Sequence, residues 1–498
     1  MKKIYFFTLF IFLFINSNFA QTNLSGTLPC NTTLTIGGSP YNVLSTIIVS
    51  SGCNLVVNPG VEIKMAENAH LIIKGKASFM GTASQPINMH ASDTIWGNIF
   101  LDSTLAQKSS FNYVIIQNAR KSVKVTQEPG AIYSFFSSLE IKNCHFKNNL
   151  RCWVGYQSPG VLIKDCILDS TNSGEKIHGQ YCHDAIVDGA MLYATRGDAD
   201  GIDFDASNDV LIANSKIYGG DDDGIDIGQC DSIGCDTVTV RNNYIFNMAN
   251  KGVSNGEYCK NISIHHNVIV SCAIGIGAKS GAKAKADHNT LYGNRMGVKS
   301  YEHTQQIWGP GSLTVTNCII ANSDTVYHVD PTAFLSVSYT LADDTLIPGT
   351  GNIKGNPLFI SPGLYPTADF HLNNNSPAIN SGDPSFPTDP DNSRTDMGAF
   401  YTGVASVSSN VLFNEPGIFP NPAKDIFNIR FSSNASTGNS GHQIKIYNAT
   451  GDLVYTENIF PGTFAKDYFV NLSTQPKGVY YLQIISDSKI IRSKLILN

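Results

Sequence analysis

The chain runs to 498 residues with a formal net charge of −6, and only 15% of its residues are charged. It has no basic excess, which excludes a nucleic-acid-binding role driven by phosphate contacts. Its 43 glycines and abundant Asn, Ser and Thr point to a turn-rich β protein.

At the N-terminus Lys2 and Lys3 precede an apolar run from Ile4 to Ile15 and a small residue at Ala20. Charge, short apolar core and cleavage site in that order predict a signal peptide over residues 1–20. No other stretch approaches the roughly 18 apolar residues of a membrane span, so the mature chain is expected to have no transmembrane segment. Eleven cysteines lie between Cys30 and Cys318. Export permits disulfides; Cys230 and Cys235 are spaced to close a small loop, and most of the others read as small buried hydrophobes.

The middle of the chain is repetitive. Short β-rich runs lead into turns at Asn143, Asp165, Asn214, Asn242, His266, His288 and Asn317, most of them 22 to 29 residues apart. That period fits one coil of a parallel β-helix, with small polar residues at turns that need left-handed dihedrals. His266 and His288 stand where other coils carry Asn and, with His265, read as structural turn residues. A second column, Gly201, Gly224, Gly252, Gly275 and Gly297, is spaced by 23, 28, 23 and 22 residues, and each glycine precedes Ile or Val. The branched residue should point inward and the one after it outward. Residues 54–118 resemble the opening coils of secreted bacterial β-helix proteins. The stretch Leu372 to Tyr401 resembles the closing segment that follows such solenoids and is expected to cap the open end.

The expected architecture is all-β: a single-stranded right-handed parallel β-helix over 21–403, with a closing segment at 340–403, then a Ser-rich linker at 404–412 and a small C-terminal β-sandwich at 413–498. Its strands include Ile444 to Tyr455 and Gly478 to Ile484. The proline-rich opening at Phe419, the Gly-Val-Tyr-Tyr strand at Gly478 and the basic final strand are similar to the type A sorting domain of the Bacteroidetes type IX secretion system. The resemblance implies passage through that machinery to the cell surface or the medium.

The chemistry-bearing stretch lies between Asp198 and Asp236, where eleven aspartates meet a single basic residue, Lys216. The glycine column places Asp203 and Asp226 outward on adjacent coils, about 4.8 Å apart. Asp200, Asp222 and Asp223 fall at the neighbouring turn. So many carboxylates need neutralising, and hard oxygen ligands in that number suit Ca²⁺. The next coils are basic, with Lys251, Lys279, Arg295 and Lys299 near the same face, and Glu257 among them. Carboxylates beside a basic stripe suit an acidic polysaccharide: calcium neutralises a uronate and acidifies the adjacent C–H, and a lysine or arginine removes that proton in β-elimination. His178 and His183 are placed to line the same cleft and contact substrate with Glu257. The plain alternative is a solvated charged face.

The Asp-Gly turn at Asp200 and the Asp-Asp-Gly-x-Asp turn at Asp222 resemble polysaccharide lyase family 9, calcium-dependent pectate-lyase-like β-helix enzymes. That resemblance implies Ca²⁺ on Asp200, Asp222, Asp223 and Asp226. The family's catalytic lysine follows a Gly-Phe pair in a later coil; here that coil reads Gly252-Val-Ser, and the column carries a lysine only at Lys299. The same aspartates resemble those of the polygalacturonases, glycoside hydrolases in which Asp200, Asp222 and Asp223 would be acid and base around a water. Three readings stand: a Ca²⁺-dependent lyase on an acidic glycan, a hydrolase, and a non-catalytic surface adhesin or glycan-binding protein with a calcium staple.

Overall fold

A computed structural model describes residues 21–123, 130–169, 174–195, 197, 199–228, 233–303, 308–364 and 368–402. In the C-terminal region it describes 417–419, 426–430, 442–448, 452–459, 468–486 and 489–497. The expected signal peptide, the linker and Cys230 lie outside these residues.

Each coil of the solenoid is built from three short strands, for example Asn208–Ala213, Lys216–Gly220 and Ile225–Gly228. Each pairs in parallel with its counterpart one coil later, Asp236–Arg241, Tyr244–Met248 and Lys251–Asn255. Repeated over about 12 turns, this yields one wall of 13 strands and two walls joined in a sheet of 26. The first two coils are tied by a Cys30–Cys53 disulfide.

The glycine column holds because coils approach closely there. A Cβ on Gly224 would lie 2.8 Å from the carbonyl oxygen of Gly252, and one on Gly252 would lie 2.8 Å from that of Gly275. The following residues, Ile202, Ile225, Val253, Ile276 and Val298, are fully buried and stack into one continuous core. A single coil has no second layer to bury such side chains, so stacking supplies the hydrophobic stabilisation.

The turn column divides into two roles. Asn143, Asn214, Asn242, His266, His288 and Asn317 all have φ between 48° and 55°. The internal ladder is formed by the residue after each: Asn243 donates to Asn267 and Asn267 to Asn289, both at 3.0 Å. Those three amides are fully buried and also bind backbone carbonyls of the preceding coil. Most described cysteines follow the buried reading. The expected Cys230–Cys235 loop is corrected: Cys235 is a free thiol turned inward, 3.1 Å from the carbonyl oxygen of Phe204.

The chain divides into two compact units at Gly355 and Asn356. The predicted closing segment straddles that division. Leu341–Ala342 and Ile353–Lys354 still pair in parallel as coil strands, whereas Phe359–Ser361 pairs antiparallel with Asp369–Leu372 in the second unit. Within that unit the Asp396 carboxylate accepts backbone N–H bonds from Asn380 and Thr402, and Met397 is fully buried. The tail has a three-stranded and a four-stranded antiparallel sheet. Ile429 and Val470 from one meet Ile444, Ile446, Leu482 and Leu495 from the other in one core, a small sandwich. No helix among the described residues is long and apolar enough to cross a membrane.

Candidate functional site

Strand register lines up one outward column along a single wall. His178 pairs with Asp203, Asp203 with Asp226, Asp226 with Ser254, Ser254 with Gly277, and Gly277 with Lys299. The residues that precede these strands supply the rest. Carboxyl oxygens of Asp200, Asp223 and Asp226 all lie within 4.8 Å of one another.

Asp200 Oδ1 accepts the backbone N–H of Asp223 at 2.9 Å. Asp223 Oδ1 accepts the backbone N–H of Lys251 at 2.6 Å, and its Oδ2 lies 2.8 Å from Lys251 Nζ, with both side chains almost wholly buried. Asp226 is only 8% exposed, and its Oδ1 has no hydrogen-bond partner. Asp222 is drawn aside: its Oδ1 accepts from Asn250 Nδ2 at 2.7 Å.

This crowding sets the electrostatics. Burial, reinforced by Asp226, Asp203, Asp223 and Asp222, pushes the Asp200 carboxyl up to about 10. Burial and Asp226 push Asp223 up to about 7 against the pull of Lys251. Burial and Asp205 hold Asp203 well above the usual carboxylate range. Burial works against the charge of Lys251, but Asp223 and Asp226 outweigh it and raise its pKa. The same balance, with Asp226, Glu257, Tyr301 and Asp223 as the raising groups, holds for Lys279.

Two glycines make room for these lysines. The Lys279 chain lies over Gly256 and that of Lys251 over Gly277, positions that a Cβ would fill. Lys279 Nζ sits 3.9 Å from Glu257 Oε1. Lys299 is half-buried with its ammonium 4.1 Å from the centre of the Tyr301 ring. On the N-terminal side, His178 Nε2 lies 3.3 Å from Asp205 Oδ2 and 3.6 Å from Asp203 Oδ2. Glu175 Oε2, held by Arg151 at 2.6 Å, approaches the same imidazole at 4.0 Å.

Of the residues singled out in the sequence, Asp200, Asp223, Asp226, Lys251, Lys279 and Glu257 therefore meet in one patch, with His178 one coil before Asp203 and Lys299 further along the column. Two lie elsewhere. His183 is exposed beyond the turn at Tyr181 and pairs with Asp184 at 2.9 Å. Arg295 is exposed at the turn before Met296–Ser300. Asp205, Glu175, Arg151 and Tyr301 were not expected in the patch. Asp205 carried a signal, lying two residues after Asp203 on an outward-alternating strand; the others did not.

Residues 417–498 match the family described as a secretion system C-terminal sorting domain, and residues 130–255 match the right handed beta helix region family. No curated protein matches the sequence. Among solved structures, a double mutant of the periplasmic alginate epimerase AlgG is 9% identical, with 62% of this chain and 77% of that one covered and a TM-score of 0.50. The Azotobacter vinelandii mannuronan C-5 epimerase AlgE4 A-module is 12% identical, covering 61% and 86%, with a TM-score of 0.40. Pectate lyase Pel9A is 14% identical, covering 71% and 89%, with a TM-score of 0.38. The register of the coils and the two family matches together make this chain a right-handed parallel β-helix protein with a type IX secretion sorting tail, destined for secretion or the cell surface.

Proposed function

We propose that this is a polysaccharide-active protein, and that the Asp-Lys patch makes it a Ca²⁺-dependent lyase acting on a uronate-containing glycan. The observation that carries the reading is the Asp200, Asp223 and Asp226 triad, with the buried and unpartnered Oδ1 of Asp226 facing like charges. A buried carboxylate oxygen without a donor is costly, and a hard divalent cation is the group that an all-oxygen donor set selects. Asp200, Asp223 and Asp226 would hold it, while Asp222 accepts from Asn250 instead. When bound, the ion supplies charge neutralisation for a substrate carboxylate. The solved structure named for alginate epimerisation, which shares the fold, supports a polysaccharide as the substrate class.

The chain's own residues divide the remaining work. Lys251 is committed to Asp223 and positions that carboxylate. Lys279, partly exposed and next to Glu257, and Lys299, over Tyr301, face the substrate side of the column. The proton-accepting role in elimination falls to one of these two, Lys279 only where a cation on the triad would offset Asp226 and Asp223, carboxylates that raise its pKa; K279M and K299M would separate them.

The test is to mix the purified protein with a panel of acidic glycans and follow ultraviolet absorbance of unsaturated uronates, with and without calcium. Calcium-dependent absorbance supports the lyase. New reducing ends without absorbance would replace it with a hydrolase, and binding without any depolymerisation with an adhesin.

A further inference from the structure

A second cluster of ligating side chains lies at a different corner of the solenoid, after the strands of the 13-stranded wall. His265 ends the strand Lys260–His265, and Asp287 ends the strand Lys283–Asp287 one coil later, directly in register with it. Each is followed by a histidine in the left-handed turn, His266 at φ 55° and His288 at φ 48°. Two successive coils thus bring three imidazoles and one carboxylate to one corner.

The rings are tightly arranged. His266 and His288 stack with centroids 4.9 Å apart and planes 9° from parallel. His265 Nδ1 lies 3.0 Å from His266 Nδ1, and His288 Nδ1 lies 2.9 Å from Asp287 Oδ1. One ligand atom each from His266, Asp287 and His288 fall within 4.8 Å of one another.

The turn itself does not require histidine. Asn242 and Asn317, in the coils before and after, hold the same position with φ 55° and 53°. We propose that His266, Asp287 and His288, with His265 beside them, form a binding site for a first-row d-block cation such as Zn²⁺, separate from the carboxylate triad. The donor set decides the class: imidazole nitrogens with one carboxylate suit Zn²⁺ and its neighbours, whereas the all-oxygen triad suits Ca²⁺. Because the two histidines come from adjacent coils, the ion would cross-link the stack.

The experiment uses the full chain, stripped with chelator and returned to excess Ca²⁺ so that the carboxylate patch is filled. Zn²⁺ is titrated by calorimetry, and Co²⁺ by its visible absorption. One equivalent of each is expected, with a Co²⁺ band of nitrogen–oxygen ligation. His266→Asn and His288→Asn install the residue that neighbouring coils already carry, so the turn survives. Each should weaken Zn²⁺ binding by more than the roughly 10–100-fold that loss of an outer-sphere partner causes. A reading that needs no variant is the C2-hydrogen exchange of the imidazoles by mass spectrometry, expected to slow at His266 and His288 when Zn²⁺ is added. No Zn²⁺ binding in the unaltered chain, undiminished affinity in both variants, or exchange that Zn²⁺ leaves unchanged at these two rings would each overturn the site.

Discussion

Replacing Lys251 by Met tests how the patch is held together. Lys251 Nζ and Asp223 Oδ2 are 2.8 Å apart, with side chains 5% and 3% exposed. Two unit charges at that distance attract by about 6 kcal/mol at an effective dielectric of about 20, and stripping one partner from a buried pair costs about 3–5 kcal/mol. The backbone N–H of Lys251 still donates to Asp223 Oδ1 in the variant, which keeps the loss at the lower end of that range. Solenoid stability is largely a sum over neighbouring coils, so the damage should be local. Amide hydrogen exchange in chelator should speed up in Ile225–Gly228 and Lys251–Asn255 by about two orders of magnitude, while distant coils stay protected. Calcium should restore protection, because a cation on the triad replaces the lost positive charge, and the variant should bind calcium more tightly than the unaltered chain. If K251M exchanges like the unaltered chain in chelator, or calcium leaves the faster exchange as it is, the electrostatic account of the patch is wrong.

Other predictions concern single sites. Lys176 is fully buried, and burial brings its pKa down from 10.5 to about 8 against the pull of Cys152 and Asp169. The unfolded chain therefore binds the extra proton between those values, so stability rises with pH from about 8 to 10.5, by about 3 kcal/mol in all. Denaturant unfolding of Lys176→Met should lack that rise and be the more stable below pH 8; an unchanged pH profile would contradict the assignment. Gly252→Ala places a Cβ 2.3 Å from Ile269 Cγ2 and 2.8 Å from a carbonyl oxygen of the next coil, and should destabilise by about 1–3 kcal/mol in thermal or chemical unfolding. Lys279→Met should lower turnover of an acidic glycan while binding calcium at least as tightly as the unaltered chain, since Asp226 loses a neighbouring cation, as measured by absorbance and calorimetry on the same preparation.

Much of the fold was readable because solenoids write their register into the chain. Gly201 to Gly297 with their trailing Ile and Val mark the core and, by alternation, the outward Asp203 and Asp226. The turn asparagines were seen, but the sequence did not separate the left-handed Asn242 from the buried, ladder-forming Asn243, because both are Asn and only burial tells them apart. The Cys30–Cys53 bridge was equally hidden, since its partners are 23 residues apart and meet only once coils stack. At the site, proximity of Asp200, Asp223 and Asp226 followed from spacing along adjacent coils. The Lys251–Asp223 pair did not, because it depends on a long side chain lying over Gly277, a matter of rotamer and available space. His183 was misplaced for a related reason: the left-handed Tyr181 turns the chain off the wall before it is reached.

The most direct measurement is calorimetric titration of calcium into the chelator-stripped chain and into Asp226→Asn. The account predicts a single strong calcium site in the unaltered chain and, in the variant, a large loss of affinity with the solenoid intact by circular dichroism. Equal calcium affinity in the two proteins would contradict it.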